Sequence, residues 1–242
     1  MKNGTSLRSA ALIALAIALG GWFVGHGFLQ GRAADRFVTV KGVSERDVKA
    51  DVALWPVRFV STDDDLSKAQ DTIKRSKQAV LAFLDKHGID PAAAVVQKLE
   101  VNDLLANPYR SGPTQSRYII TQTLMVRTDN PDLVQKASQD LGELVDAGVV
   151  LSSTGGPDTS PTYLFTRLSE LKPEMIADAT AKARRAAQQF AADSGSRIGR
   201  IRRANQGVFV IRPRDRAPGV MEGTQLHKTV RVVSTIEYYL ED

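Results

Sequence analysis

A chain of 242 residues that is 43% hydrophobic and 24% charged can bury a sizeable core, which excludes disorder, collagen and coiled coil. It has no cysteine, which excludes a disulfide scaffold, a thiolate nucleophile, a Cys-ligated zinc and an iron–sulfur cluster while leaving the compartment open. The formal charge is +5, and three histidines are a thin supply for metal chemistry.

The first 36 residues differ from the rest. Residues 10–29, AALIALAIALGGWFVGHGFL, hold His26 as their only ionisable side chain. Twenty helical residues rise about 30 Å, the thickness of a bilayer core. The sequence thus predicts a tail over 1–9, a single transmembrane anchor over 10–29 and a linker over 30–36. Lys2 and Arg8 also suit the basic start of a signal peptide, with Gly31 and Ala33 as small residues for cleavage after Ala33. The length of the apolar run and the interfacial position of Trp22 favour the uncleaved anchor. Basic residues lie on both sides (Arg32, Arg36, Lys41, Arg46 and Lys49 after the run), so charge alone does not fix its orientation.

Residues 37–43 and 48–60 are rich in strand formers, and Pro56 places the second strand at an edge or a bulge. Asp63, Asp64 and Asp65 supply cap and first-turn acids for a helix over 66–87. Its buried stripe is Leu66, Ala69, Ile73, Val80 and Leu84, and Gly88 ends it. Strands over 95–105 and 117–128 flank an exposed loop, NPYRSGPTQS, at 107–116. Asn130 and Pro131 start a second helix with Leu133, Ala137, Leu141, Leu144 and Val145 on one face. Strands over 149–153 and 163–171 follow, joined through Gly155, Gly156 and Pro157. A third helix runs from Pro173 to Ala192 with Ile176, Ala179, Ala183, Ala187 and Phe190 inward, and Gly195 stops it. Strands over 198–211 and 229–240 close the chain, the last with Val230, Val232, Ile236, Tyr238 and Leu240 on one face. Strand–strand–helix three times plus two closing strands predicts an α+β fold over 37–242, with a largely antiparallel sheet.

Little of this carries catalytic chemistry. His26 lies in the anchor, His87 at a helix C-terminus where an imidazole suits the dipole, and His227 at the opening of a strand. No phosphate loop, dinucleotide fingerprint, metalloprotease or nucleophile-elbow motif occurs. The acids at 63–65 read better as caps than as a calcium site. The 152–156 segment, SSTGG, reads better as a turn than as an anion nest. No catalytic residue, cofactor or metal ligand is therefore expected.

One charge feature stands out. Between Lys182 and Arg216 lie ten basic residues and two acids, Asp193 and Asp215. Arg197, Arg200, Arg202, Arg203, Arg212, Arg214 and Arg216 are the candidate contact surface, for an anionic lipid or an acidic protein partner. Nucleic acid is disfavoured, because Phe190 and Phe209 are the only interleaved aromatics.

Several segments carry a resemblance. FVTVKGVSERDVKADVA at 37–53, with Gly42, Val48 and Asp51, resembles the opening of SIMPL-domain proteins, although Ala50 stands where a proline is common. RYIITQTLMVRT resembles the middle strand of that family, ADATAKARRAAQQFAADSGSRIGRI its Ala-rich helix and TVRVVSTIEYYLED its closing strand. The resemblance implies an α+β envelope protein, periplasmic, with no established enzymatic activity and no active-site residues to carry over. It also implies a link to oxidative-stress tolerance, kinship with an immunogenic periplasmic antigen, and self-assembly, in one member into a ring with a channel-like opening. The resulting expectation is a homo-oligomeric protein anchored in the inner membrane by 10–29, with its C-terminal domain in the periplasm. The alternatives are a soluble periplasmic stress-defence protein released by cleavage and an envelope hydrolase using His227.

Overall fold

The computed structural model of the chain describes residues 4–33, 36–106, 116–152 and 159–242, with the side chains of 12–26 in the first helix. That helix, α1, spans Gly4–Ala33 and so runs past 10–29 at both ends. Its described side chains are all exposed, Ile17 at 70% and Val24 at 74%. They cover about 22 Å of axis. Among the described residues, no helix is long and apolar enough to cross a membrane.

The remaining elements are β1 (Phe37–Lys49), β2 (Val52–Asp63), α2 (Leu66–Lys86), β3 (Ala94–Asp103), β4 (Tyr118–Thr128), α3 (Pro131–Ala137), α4 (Gly142–Asp146), β5 (Val150–Leu151), β6 (Thr162–Leu164), α5 (Leu168–Asp193), β7 (Arg197–Gln206), β8 (Val210–Pro213) and β9 (His227–Glu241). The fold is α+β, and every strand pair whose register is defined is antiparallel. The chain divides into two compact units. One gathers Met1–Ser44, Pro173–Phe209 and Val232–Asp242, and the other Glu45–Lys172 and Val210–Arg231.

In the second unit the strand order is β3-β4-β2-β5, with β6 also on β2. Trp55, Val57 and Phe59 of β2 lie opposite Val126, Leu124 and Gln122 of β4 and point to one face. Ala69, Ile73, Val80, Phe83 and Leu84 of α2 close over that face. Asp65 is the N-cap of α2, accepting from Ser67 N at 2.7 Å, while Asp63 accepts from Asp65 N and Asp64 from Arg117 N. Gly88, at φ +76°, ends the helix, with Ile89 N donating back to Leu84 O. Pro56 sits in neither an outer strand nor a bulge. Ser152 N donates to Arg58 O, so alternation aims the missing Pro56 donor away from β4, into the gap between β6 on 52–54 and β5 on 59–60.

In the first unit β9 lies between β1 and β7. The inner face of α5 is Met175, Ala179, Ala183, Ala187 and Ala191, with Ala183 and Ala187 packed on Val40, Ile236 and Tyr238. The alanines let the helix lie close. A Cβ on Gly42 would fall 2.7 Å from Ala183 N and collide with the Ala179 carbonyl.

Several expectations are corrected. Residues 44–47 continue β1, because Ser44 donates to Asp178, Arg231 donates to Glu45 and Thr229 donates to Asp47. The expected second helix is two short ones, broken near Gly142, with Ser138 Oγ turned back to Gln135 O. Leu66 and Val145, expected inside, are exposed. α5 starts at Leu168 and contains Pro173. The 198–211 stretch is two strands, parted at Gly207, whose N–H bonds Val233 O. Phe190 is 60% exposed, since the buried row steps from Ala187 to Ala191 and leaves it outside. The 107–116 loop (except Ser116) and Gly155, Gly156 and Pro157 lie outside the described residues.

Candidate functional site

The seven candidate arginines fall into two groups. Arg197, Arg200, Arg202 and Arg203 stand on β7 in the first unit, whereas Arg212, Arg214 and Arg216 lie on or just after β8 in the second. β7 is an edge strand of its sheet, with register shifts between Ile198 and Ile201 and between Ile201 and Arg203. Those shifts keep Ile198, Ile201 and Ala204 opposite Leu240, Tyr238 and Ile236 while fitting four arginines into seven positions.

Part of this charge is satisfied internally. Arg202 donates to Glu237 at 3.0 Å, and its guanidinium carbon lies 4.0 Å from the Phe37 ring centroid. Arg200 lies over Tyr239 at 5.4 Å, and Arg197 donates to the Asp242 main-chain oxygen at 2.8 Å. Arg203 is exposed, and among the described residues its side chain has no ion-pair partner. Arg214 pairs with the adjacent Asp215, whose hydrogen bond holds the guanidinium above its ordinary pKa. Exposed pairs of this kind contribute little stability and leave the guanidinium groups available to a ligand.

Beside these arginines runs a cleft of about 290 Å³ between α5 and β7. Ile198, Ile201 and Tyr238 line it with apolar surface, while Arg184, Arg200 and Gln188 supply polar groups. Tyr238 is 1% exposed, and its buried hydroxyl has no hydrogen-bond partner among the described residues. Chemically the arrangement can hold an anion through planar guanidinium forks. Arg184 belongs to the charge run but not to the candidate contact surface, and Gln188 carries no charge signal; both join the cleft through the outward face of α5.

The remaining candidates have structural roles. Asp51 accepts from Thr166 N and Thr166 Oγ1, both at 2.7 Å, with Arg167 Nε at 3.6 Å, just ahead of α5. Burial raises its pKa, but the Thr166 hydrogen bonds and the Arg167 charge together hold it below the usual aspartate value. His87 is the C-cap of α2, its ring 4.4 Å from Phe83 and its nitrogens facing Asp140 and Glu143. His227 is exposed at the start of β9. Of the 152–156 segment only Ser152 is among the described residues.

Lys228 was not singled out by sequence reasoning. It is fully buried on the core face of β9, paired with the Glu222 carboxylate and donating to the Glu222 carbonyl at 2.6 Å. Its even position, in step with Val230 and Val232, is the signal that would have found it.

The crystal structure of the ligand-free regulatory subunit of aspartate kinase from Thermus thermophilus is similar at 17% identity, over 80% of this chain and 87% of that one. The TM-score is 0.20, which carries no argument. No curated protein matches the chain. The family model SIMPL, described as a protein of unknown function (DUF541), matches residues 38–237, and the chain belongs to that family.

Proposed function

We propose that this is a binding protein rather than an enzyme, anchored in the inner membrane by residues 10–29. Residues 37–242 stand in the periplasm, self-associate, and bind an anionic lipid surface or acidic partner through the arginines of β7. The observation that carries this reading is four arginines on one edge strand beside a cleft with apolar and cationic walls. Anchoring is supported by a run of twenty residues in which His26 is the only ionisable side chain and by the exposure of every described side chain of α1, since that much bare apolar surface needs a cover.

The test replaces Arg200, Arg202 and Arg203 by serine in the full chain. Binding to vesicles of anionic phospholipid, or oligomer size by light scattering, is expected to fall while the thermal melt stays near wild type. Raising the salt should weaken the wild type in the same direction, because exposed charges are screened. Unchanged vesicle binding and unchanged oligomer size would refute the reading.

A further inference from the structure

We propose that β3 is a self-association edge, at which a second copy of this chain adds antiparallel about a two-fold axis through Leu99. β3 stands at the end of the order β3-β4-β2-β5 and pairs only with β4 among the described residues. The hydrogen bond from Leu104 N to Arg117 O fixes its parity. Beyond the bulge between Val96 and Lys98, even positions turn their backbone groups to β4, and Leu99 and Val101 turn theirs to the free edge.

The side chains agree with a missing neighbour. Leu99 and Val101 share the core face of the sheet with Gln122 and Ile120 of β4. Those two are buried under α2, whereas Leu99 is 56% and Val101 54% exposed. An edge strand with free backbone groups and bare apolar side chains is a template for another strand.

Charge selects a second copy as the occupant. Pairing about Leu99 sets Lys98 opposite Glu100 of the other copy, and the symmetry repeats the pair. Lys98 and Glu100 already meet at 2.6 Å within one chain, so both heads lie on the same outer face and within reach. Moving the axis to Val101 sets Glu100 against Asn102 and Leu99 against Asp103, losing both ion pairs. Moving it to Glu100 sets that carboxylate against itself. A lone lysine on an edge keeps copies apart, but a glutamate two residues on makes this edge complementary to itself.

This deepens the self-association reading by naming a contact on the other unit from the β7 arginines, and the two fail separately. Substituting the arginines leaves β3 intact, and the β3 variants leave the arginines intact. The experiment uses the full chain in neutral detergent, with Lys98→Glu and Glu100→Lys made separately, and sedimentation equilibrium as the readout. Both positions are exposed, with side chains 64% and 47% accessible. Each variant alone is expected to associate roughly tenfold more weakly than wild type, since two opposite-charge pairs become like-charge pairs. An equimolar mixture should recover near wild-type association, because each substituted position then faces its opposite across the axis. A monomeric wild type, variants that associate like wild type, or a mixture as weak as its components would each overturn the proposal.

Discussion

At the scale of single residues, two of the three positions that carry the resemblance near the first strands, Gly42 and Asp51, have distinct physical reasons. Gly42 is where a backbone of α5 passes too close for any side chain. Asp51 is a cap supplied from a distant part of the chain, which holds Thr166 and Arg167 in place for the first turn of α5. Its carboxyl lies below its ordinary pKa when folded, so its contribution is present above the unfolded value near 3.9 and lost as pH falls through the folded value. Asp51→Asn should therefore cost about 1–2 kcal/mol at neutral pH, the range for losing a capping acceptor. Urea denaturation as a function of pH checks this, and the gap from wild type should close on acidification well below pH 4. A gap that persists there would mean that the carboxylate charge is not what holds Thr166.

At the scale of elements, the sequence made the strands of β4 and β9 and the caps of α2 legible, because each rests on local alternation or on an acid beside its helix. The start of α5 was not legible. Pro173 is a strong local signal for a helix start, but the acceptor that lets the helix begin at Leu168 sits at Asp51. The face of α5 was half legible. Ala179, Ala183 and Ala187 face inward as the sequence predicts, but the next inward residue lies four positions on, at Ala191, rather than three. Hydrophobicity favours Phe190, whereas the four-residue step of the buried alanines from Ala179 through Ala187 leads to Ala191. The β7 strip of the candidate site was legible as charge, but not its internal pairing to Glu237 and Asp242, which depends on register. Ala187→Leu, inserting bulk at a fully buried position, should cost about 1–3 kcal/mol, and Phe190→Ala no more than about 0.5 kcal/mol. Thermal melts of the two variants decide it, and a larger loss for Phe190→Ala would mean the inward face is misassigned.

At the scale of the whole molecule, each compact unit is assembled from separated stretches of chain, and β1, α5 and β9 each contribute residues to both. That interleaving explains why no composition shift or linker inside 37–242 marks a boundary in the sequence. The contrast with α1 is sharp: its described side chains, 12 to 26, are all bare, whereas each of the two units buries an apolar core. A bilayer is the cover the anchor reading supplies, and it makes a prediction with two independent readouts. A reporter active only outside the cytoplasm, fused after Asp242, should be active, and the intact chain should stay with membranes through an alkaline wash. Ala16→Arg, near the middle of 10–29, should impair insertion, since a central arginine costs about 2.5–3.5 kcal/mol on insertion scales. The same variant should leave residues 37–242 with an unchanged melting transition, because none of the described α1 side chains, 12–26, belongs to either core. An inactive fusion, or wild-type membrane retention in the arginine variant, would place the apolar helix somewhere other than across a bilayer.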